Sequence, residues 1–491
     1  MQKSRQISPQ DIEKLIAKGL EHQNAGRIEV ARKYYLKALK ASPNEPNAIH
    51  FLGVAYHQLE NNEQAERHLN DAVELKPEDS QAHNHYGCAL LALNKLTEAE
   101  LAFRKSIELN SSNSDALFNL GQLISREEIL EQSNNDDDRE KIASEAVELL
   151  NKAVTLKPEQ LEWKVKLAGA LLHAGQKDLS SKVLDFILKQ KIDHPEVYFF
   201  KSRIVAGRSA YQNLQKSLIL KPDAKSALNN FGFWNLVAEK KFDAFIWYQR
   251  ALVSEPTDVA VQWNHALSLL ANGDLENGWV AAKCRHFKPE MYIERLGLPP
   301  EWDGQEITDG TLFVFQEQGI GDELRFANCF EDLSEKLKTK CFIETDARLI
   351  PLFSRSFPKL NFIEKLEREV DNHVIVNYAE AVEKLNATVH CPLGDLPLHF
   401  RPSINHFNFN DAYLVPDENE RAYWREVFEK IGQELKIGFC WQTALPSKTY
   451  DSYFPDLHEL GPIFALKNAT FVNLQYTDCE QQLQAAENDF N

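Results

Sequence analysis

The residues best placed for chemistry in this 491-residue chain stand six in a row, Glu317-Gln318-Gly319-Ile320-Gly321-Asp322. They follow the apolar run Thr311–Gln316 (TLFVFQ) and precede a helical pattern, which predicts a strand–turn–helix unit. Gly319 and Gly321 would permit a tight turn and bring a ligand close to backbone amides at a helix N-terminus. Asp322 has two compatible readings: a cap for the first amides of the helix, or a general base. Leu324, followed by Arg325, stands where a dinucleotide fingerprint carries its third glycine, which disfavours a dinucleotide oxidoreductase. No zincin, P-loop or Gly-x-Ser-x-Gly pattern occurs. His85, His265 and His286 lack partners at metal-ligand spacing, so no metal is expected.

The elements that position these residues begin with a repeat. Gly19, Gly53, Gly87 and Gly121 keep a constant spacing of about 34 residues, the period of paired antiparallel helices. Ala31, Ala65 and Ala99 keep the same period, and so do Pro43 and Pro77. In the second unit Ile49, Leu52, Gly53 and Tyr56 share one helix face. Gly53 is expected where the two helices of a unit meet most closely. This pattern resembles the tetratricopeptide repeat (TPR). About eight units are expected over residues 1–290, with an insertion near 126–140 whose polar run Gln132–Asp138 reads as a loop. Two weaker units fill 159–222, the second of them short.

Stacked units of this kind form a solenoid whose inner groove is lined by the first helix of each pair. Asn119, Asn230 and Asn264 share one position, two residues before the small-residue site. A side-chain amide carries both a donor and an acceptor, which suits a peptide backbone irrespective of its side chains. This resembles the asparagine ladder of O-GlcNAc transferases. The plainer reading is three polar helix residues with no common task.

Composition bounds the rest. A formal charge of −18 argues against nucleic acid as the main partner. No apolar run approaches the length of a membrane helix, and the polar start lacks the apolar core of a signal peptide. Seven scattered cysteines with no Cys-x-x-Cys form neither a disulfide framework nor a zinc ribbon. A cytoplasmic location is expected.

After Pro289 the texture changes to short β-rich runs at 311–316, 340–344, 361–364, 373–377, 436–443 and 469–476, with helical patterns at 322–337 and 418–431 between them. Such alternation predicts parallel α/β layers. Pro402–Asp417 reads as the connection between two α/β units. The run from Pro299 to Phe330 (PPEWDGQEITDGTLFVFQEQGIGDELRFANCF) resembles the start of the glycosyltransferase-like domain that follows TPR arrays in many bacterial proteins. Asn277-Gly278-Trp279, Cys391-Pro392-Leu393 to Pro397, Lys436–Trp441 and Phe471–Tyr476 match further blocks in the same order, so the resemblance spans essentially the whole chain.

The resemblance implies an α-helical TPR solenoid followed by a GT-B fold of two Rossmann-like units. It is related to heptosyltransferases and more distantly to O-GlcNAc transferases. The expected domains are 1–290, 291–410, and 411–491 as a linker with an incomplete second Rossmann-like unit. It further implies Asp322 as the base of an inverting sugar transfer. A nucleotide-sugar donor would meet Gly319 and Gly321 on one side, and Gln442 and Lys448 on the other. A later nucleotide-contacting block has no counterpart here, and Thr449-Tyr450-Asp451 stands where an arginine is common. Two functions therefore remain open from sequence: a TPR-linked glycosyltransferase, or a non-catalytic adaptor.

Overall fold

The structure, a computed structural model, describes residues 8–126, 129–130, 136–288, 293–317, 319–366, 369–370, 374–407, 412–432, 434–442, 455, 457–475 and 477–490. It divides into two compact units, Met1–Ser268 with Phe287–Met291, and Leu269–His286 with Tyr292–Asn491. No described helix is long and apolar enough to cross a membrane.

The first unit is a helical solenoid. Its helices are α1 (Pro9–Asn24), α2 (Ile28–Ala41), α3 (Pro46–Gln58), α4 (Asn62–Leu75), α5 (Ser80–Ala92), α6 (Leu96–Leu109), α7 (Ser114–Ile124) and α8 (Asp136–Leu156). There follow α9 (Leu161–His173), α10 (Lys177–Lys189), α11 (Pro195–Ile204), α12 (Gly207–Leu220), α13 (Lys225–Val237) and α14 (Lys241–Ser254). Helix α15 (Val259–Ala271) crosses into the second unit, and α16 (Leu275–Ala281) belongs to it. Several helices begin on caps or prolines: the Asp79 carboxylate accepts from the amides of Gln81 and Ala82, and Pro9, Pro46 and Pro195 open their helices.

The periodic glycines do what their size requires. A Cβ on Gly53 would lie 2.6 Å from Leu69, on Gly87 2.6 Å from Phe103, on Gly19 2.3 Å from Tyr35, and on Gly232 2.7 Å from Tyr248. Each large residue lies on the second helix of the same pair, sixteen positions after its glycine. Gly121 meets Leu150 at 2.8 Å across the insertion. The loop expected at Gln132–Asp138 is corrected in part: residues 136–138 open α8, where Asp137 and Asp138 suit the positive end of the helix. Residues 132–135 lie outside the described residues. The short unit is visible as α11, ten residues long and joined to α12 through Gly207 at φ 60°.

The second unit holds the strands. They are β1 (Ile293–Leu296), β2 (Thr311–Phe315), β3 (Lys340–Thr345), β4 (Asn361–Glu364), β5 (Glu369–Val370), β6 (Val374–Asn377), β7 (Ala387–Pro392), β8 (Leu435–Phe439) and β9 (Ala469–Asn473). A four-stranded parallel sheet has the order β4-β3-β2-β7. A second sheet, β1-β6-β5, pairs β1 with β6 in parallel and β5 antiparallel; β8 and β9 form a separate parallel pair. All of β2 is buried. Leu312 and Val314 face a core with Phe330, Phe353 and Leu396, while Phe313 and Phe315 face Val376 and Tyr378. Burial on both faces is what a central parallel strand requires.

The helix expected over 322–337 is broken into α17 (Ile320–Phe326), a 3-10 turn (Ala327–Cys329) and α18 (Phe330–Lys336). The buried Arg401 guanidinium is the reason: it donates to the Asn328 carbonyl and side chain and, at 2.8 Å, to Asp332, drawing that carbonyl out of the helical ladder. The later helices are α19 (Ile350–Ser356), α20 (Ala379–Leu385), α21 (Leu396–Phe400), α22 (Glu418–Ile431), α23 (Gly461–Phe464) and α24 (Glu480–Phe490).

Replacing Gly87 with Val drives a branched side chain into Phe103, which is fully buried. Overpacking predicts a loss of about 1–3 kcal/mol, read in urea melts followed by helical circular dichroism. An unchanged midpoint would contradict the close-approach account.

Candidate functional site

Two places collect polar groups, one in each unit. In the first, side chains on successive first helices meet at a spacing of thirty-five residues. Asn119 on α7 donates through Nδ2 to Asn84 Oδ1 on α5 at 3.0 Å, and Asn264 on α15 donates to Asn229 Oδ1 on α13 at 2.9 Å. His50 on α3 and His85 on α5 share a hydrogen bond of 2.8 Å between Nε2 and Nδ1. Gln23 donates to Gln58 at 2.8 Å, with Tyr35 donating to Gln23 in turn. Asn264 meets Asn229, and Asn230, half-buried on α13, stands beside that contact.

The partner residues lie three positions before the small site, and sequence reasoning missed them. Their signal was a spacing one residue longer than the repeat. Burial, with His85 alongside, pushes His50 down to about 4, and burial lowers His85 as well. Both rings are therefore neutral at neutral pH and share one proton between facing nitrogens. Because Asn119 spends its N–H groups on Asn84 Oδ1 and on the Cys88 sulfur, the group it leaves for a ligand is its carbonyl oxygen, an acceptor.

In the second unit the strand order reverses beside β2. From β2 the chain steps outward to β3 and β4, then returns to place β7 on the other side. Open α/β sheets bind ligands outside the strand ends at such a reversal. The turn Gly319–Asp322 follows β2, and Leu393-Gly394-Asp395 follows β7. The two expected glycines have ordinary negative φ, so turn geometry does not demand them. A Cβ on either would meet no described atom within 4 Å, leaving space above the turn.

Gly319, and not Asp322, occupies the cap position, with no side-chain cap bond. Asp322 lies in the first turn of α17 and accepts from Arg325 Nη2 at 2.7 Å, with its side chain one-third exposed. The helix α17, whose first turn would supply the amides of the expected ligand site, is seven residues long.

What fixes this turn is a buried ion cluster. Arg285 Nη2 donates to Glu317 Oε1 at 2.7 Å and to Asp395 Oδ1 at 2.6 Å. The Gly394 amide donates to the same Glu317 oxygen at 2.8 Å. Only 4% of the Arg285 side chain is exposed, 6% of Glu317 and 3% of Asp395. Burial opposes the charge on Asp395, but His286 and Arg285 outweigh it and hold the carboxyl below its ordinary range. Deeper still, Glu344 accepts from the Gln316 and Leu366 amides and from the Tyr378 hydroxyl, and Glu323 accepts from Thr345 and the Asp346 amide. Burial raises Glu323. Sequence reasoning placed Glu317 in the turn motif but gave no role to Asp395, Glu344 or Glu323, because each is a lone carboxylate until the fold brings its partner.

Gln442 follows β8. Its Nε2 donates to Thr477 at 2.9 Å, and its Oε1 accepts from Gln482 at 3.2 Å. Lys448 lies outside the described residues. Among the described residues no cluster of His, Cys, Asp or Glu could hold a metal ion.

Comparison with known proteins defines the class of the first unit. Models of the tetratricopeptide repeat match residues 24–85 and 80–113, so the N-terminal part of the chain carries tetratricopeptide repeats. Protein FlbA of Caulobacter vibrioides is 31% identical over 289 residues, covering 56% of this chain and 47% of that protein. This chain thus spans about half the length of the curated relative it matches. A tetratricopeptide repeat protein of Parabacteroides merdae aligns over 53% of this chain and 99% of its own, at 13% identity and a TM-score of 0.42. PilF of Pseudomonas aeruginosa aligns over 44% and 94%, at 18% identity and 0.36.

Replacing Arg285 with Met strands two buried carboxylates. That should destabilise the second unit by roughly 3–5 kcal/mol, measured by urea unfolding, whereas Arg285→Lys should lose less. A Met variant as stable as the parent would show that the cluster does not hold the turn.

Proposed function

We propose that this chain is a TPR-linked glycosyltransferase-like protein. Its solenoid holds an extended protein segment along the inner face, and its α/β part transfers a sugar from a nucleotide donor with inversion. The proposed division is a solenoid over 1–290, a first Rossmann-like unit over 291–410, and a linker with a second Rossmann-like unit over 411–491, together a GT-B arrangement. The observation that carries the reading is the sheet order β4-β3-β2-β7, whose reversal lies where the Gly319–Asp322 turn begins. Asp322 would take the proton of the acceptor hydroxyl as the sugar–phosphate bond breaks. The empty space over Gly319 and Gly321 would admit the reacting groups. Gln442 and Lys448 would face the departing diphosphate, which needs amide or cationic stabilisation.

One observation favours a second reading, an adaptor whose α/β part transfers nothing. Arg325 Nη2 lies 2.7 Å from Asp322 Oδ1, so a carboxylate oxygen that would take the acceptor's proton already accepts from a neighbouring guanidinium. Tetratricopeptide repeats support a protein-interaction role under either reading.

Calorimetric titration with UDP, GDP, ADP, CMP and their sugars separates the two. The enzyme reading expects saturable heat with one nucleotide, weakened by Lys448→Ala, and sugar transfer that Asp322→Asn abolishes while nucleotide affinity stays within about twofold. A folded sample that gives no heat with any of them is an adaptor.

A further inference from the structure

Both ends of the Gln442 side chain are bound within the protein, and the network that binds them points to another residue as the one that meets a ligand. Strands β8 and β9 run parallel, so Gln442 and Thr477, which follow them, leave the same end of the pair. Open parallel sheets present their ligand sites at that end. Between the two lies Gln475, 9% exposed. Its Oε1 accepts from the Trp441 amide at 3.3 Å, the Gln442 amide at 3.2 Å and the Cys440 thiol at 3.2 Å. Two backbone donors on one oxygen fix which way this side-chain amide points. Its Nε2 therefore donates to the Gln442 carbonyl at 3.1 Å and to the Thr477 hydroxyl at 2.8 Å. Gln442 Nε2 donates to the same hydroxyl at 2.9 Å, and Gln482 Nε2 holds Gln442 Oε1 at 3.2 Å.

The consequence falls on Thr477. A hydroxyl has two lone pairs and one hydrogen, and an amide nitrogen can only donate. Both lone pairs of Thr477 Oγ1 are thus filled from within the protein, and what it offers a ligand is its hydrogen. Thr477 is only half-buried, so a ligand can reach it. The charges beside it set the kind of acceptor. Asp478 and Glu480 follow within three residues, and both are exposed. The Glu480 amide, at the start of α24, is spent on Asp478 Oδ1 at 3.3 Å. Two carboxylates beside the hydroxyl repel a phosphate oxygen and leave an uncharged oxygen as the suitable acceptor.

We infer that Thr477 touches the nucleotide sugar of the proposed transfer and gives a hydrogen bond to one of its uncharged oxygens, on the nucleoside or on the transferred sugar. Gln442 and Gln475 are positioning residues that act through it, because their amides set the direction of its hydrogen. The inference rests on the proposed nucleotide-sugar site and adds which part of that molecule this end of β8 and β9 reads.

Calorimetric titration of the full chain with UDP-glucose, GDP-mannose, ADP-glucose, their nucleoside diphosphates and pyrophosphate tests this. Thr477→Val should weaken whichever nucleotide sugar binds the parent by about threefold to tenfold, the range of one hydrogen bond, and leave pyrophosphate unchanged. Thr477→Ser should restore the parent affinity. Gln442→Glu keeps the shape of the side chain but makes it an acceptor, so the Thr477 hydrogen is drawn inward. It should cost as much as Thr477→Val beyond any loss of pyrophosphate affinity, which reports the added charge, with helical content unchanged. A loss confined to the nucleotide sugar assigns the acceptor to the sugar, and an equal loss with the nucleoside diphosphate assigns it to the nucleoside. A loss that pyrophosphate shares equally in Thr477→Val overturns the inference, because the hydroxyl would then be reading phosphate. Parent affinity in Thr477→Val overturns it too, and leaves the nucleotide-sugar reading standing. If the parent binds none of the probes, that reading itself fails and takes this inference with it.

Discussion

The solenoid depends on one steric constraint: in most of its pairs the first helix carries a glycine where a large side chain of the second helix takes the space of a Cβ. Tyr35, Leu69, Phe103 and Tyr248 fill that space at the same offset from their glycines, and Leu150 fills it across the insertion. Contact this close fixes the rotation of each first helix about its axis. Once rotation is fixed, the residues two and three positions before the glycine have one place to go, against the equivalent turn of the neighbouring pair. The Asn84–Asn119, His50–His85 and Asn229–Asn264 contacts follow from that placement.

The second unit uses a different device. Its central strand is apolar on both faces, but the loops at its end carry buried charge. Arg285 holds Glu317 and Asp395 together, and the Gly394 amide completes the set. A Cβ on Gly394 would lie 2.3 Å from Glu317, so this glycine too is required by close approach. The turn bearing Gly319 and Asp322 is thereby tied to the segment that follows the adjacent strand. Buried ion clusters are costly to desolvate and strongly destabilising to break, which makes the position of this turn well determined even though α17 behind it is short.

Much of this architecture was legible in the sequence because it rests on period and apolar runs. The glycine spacing located the helix pairs, and six β-rich runs anticipated β2, β3, β4, β6, β8 and β9. Strands β1, β5 and β7 escaped because Ile293–Leu296 is half polar, Glu369–Val370 is only two residues long, and Ala387–Pro392 mixes polar residues with a closing proline. The break in the helix after Phe326 escaped because its cause, Arg401, lies far away in the chain. The same reason hid the charged cluster: Arg285, Glu317 and Asp395 are remote from one another until the sheet forms. The asparagines were found, but their pairing was not, since a contact between neighbouring repeats follows helix geometry and not the repeat period.

The central functional claim is that ladder asparagines hold the backbone of a bound peptide, with the Asn119 carbonyl accepting a peptide N–H. Replacing single backbone amides of a bound peptide by esters removes one donor at a time and leaves every side chain intact. The account predicts that one such ester weakens binding about fivefold to tenfold, the range of one hydrogen bond, and that the same ester has no further effect in Asn119→Ala. Ester and amide peptides of equal affinity would contradict it, because the groove would then be reading side chains alone.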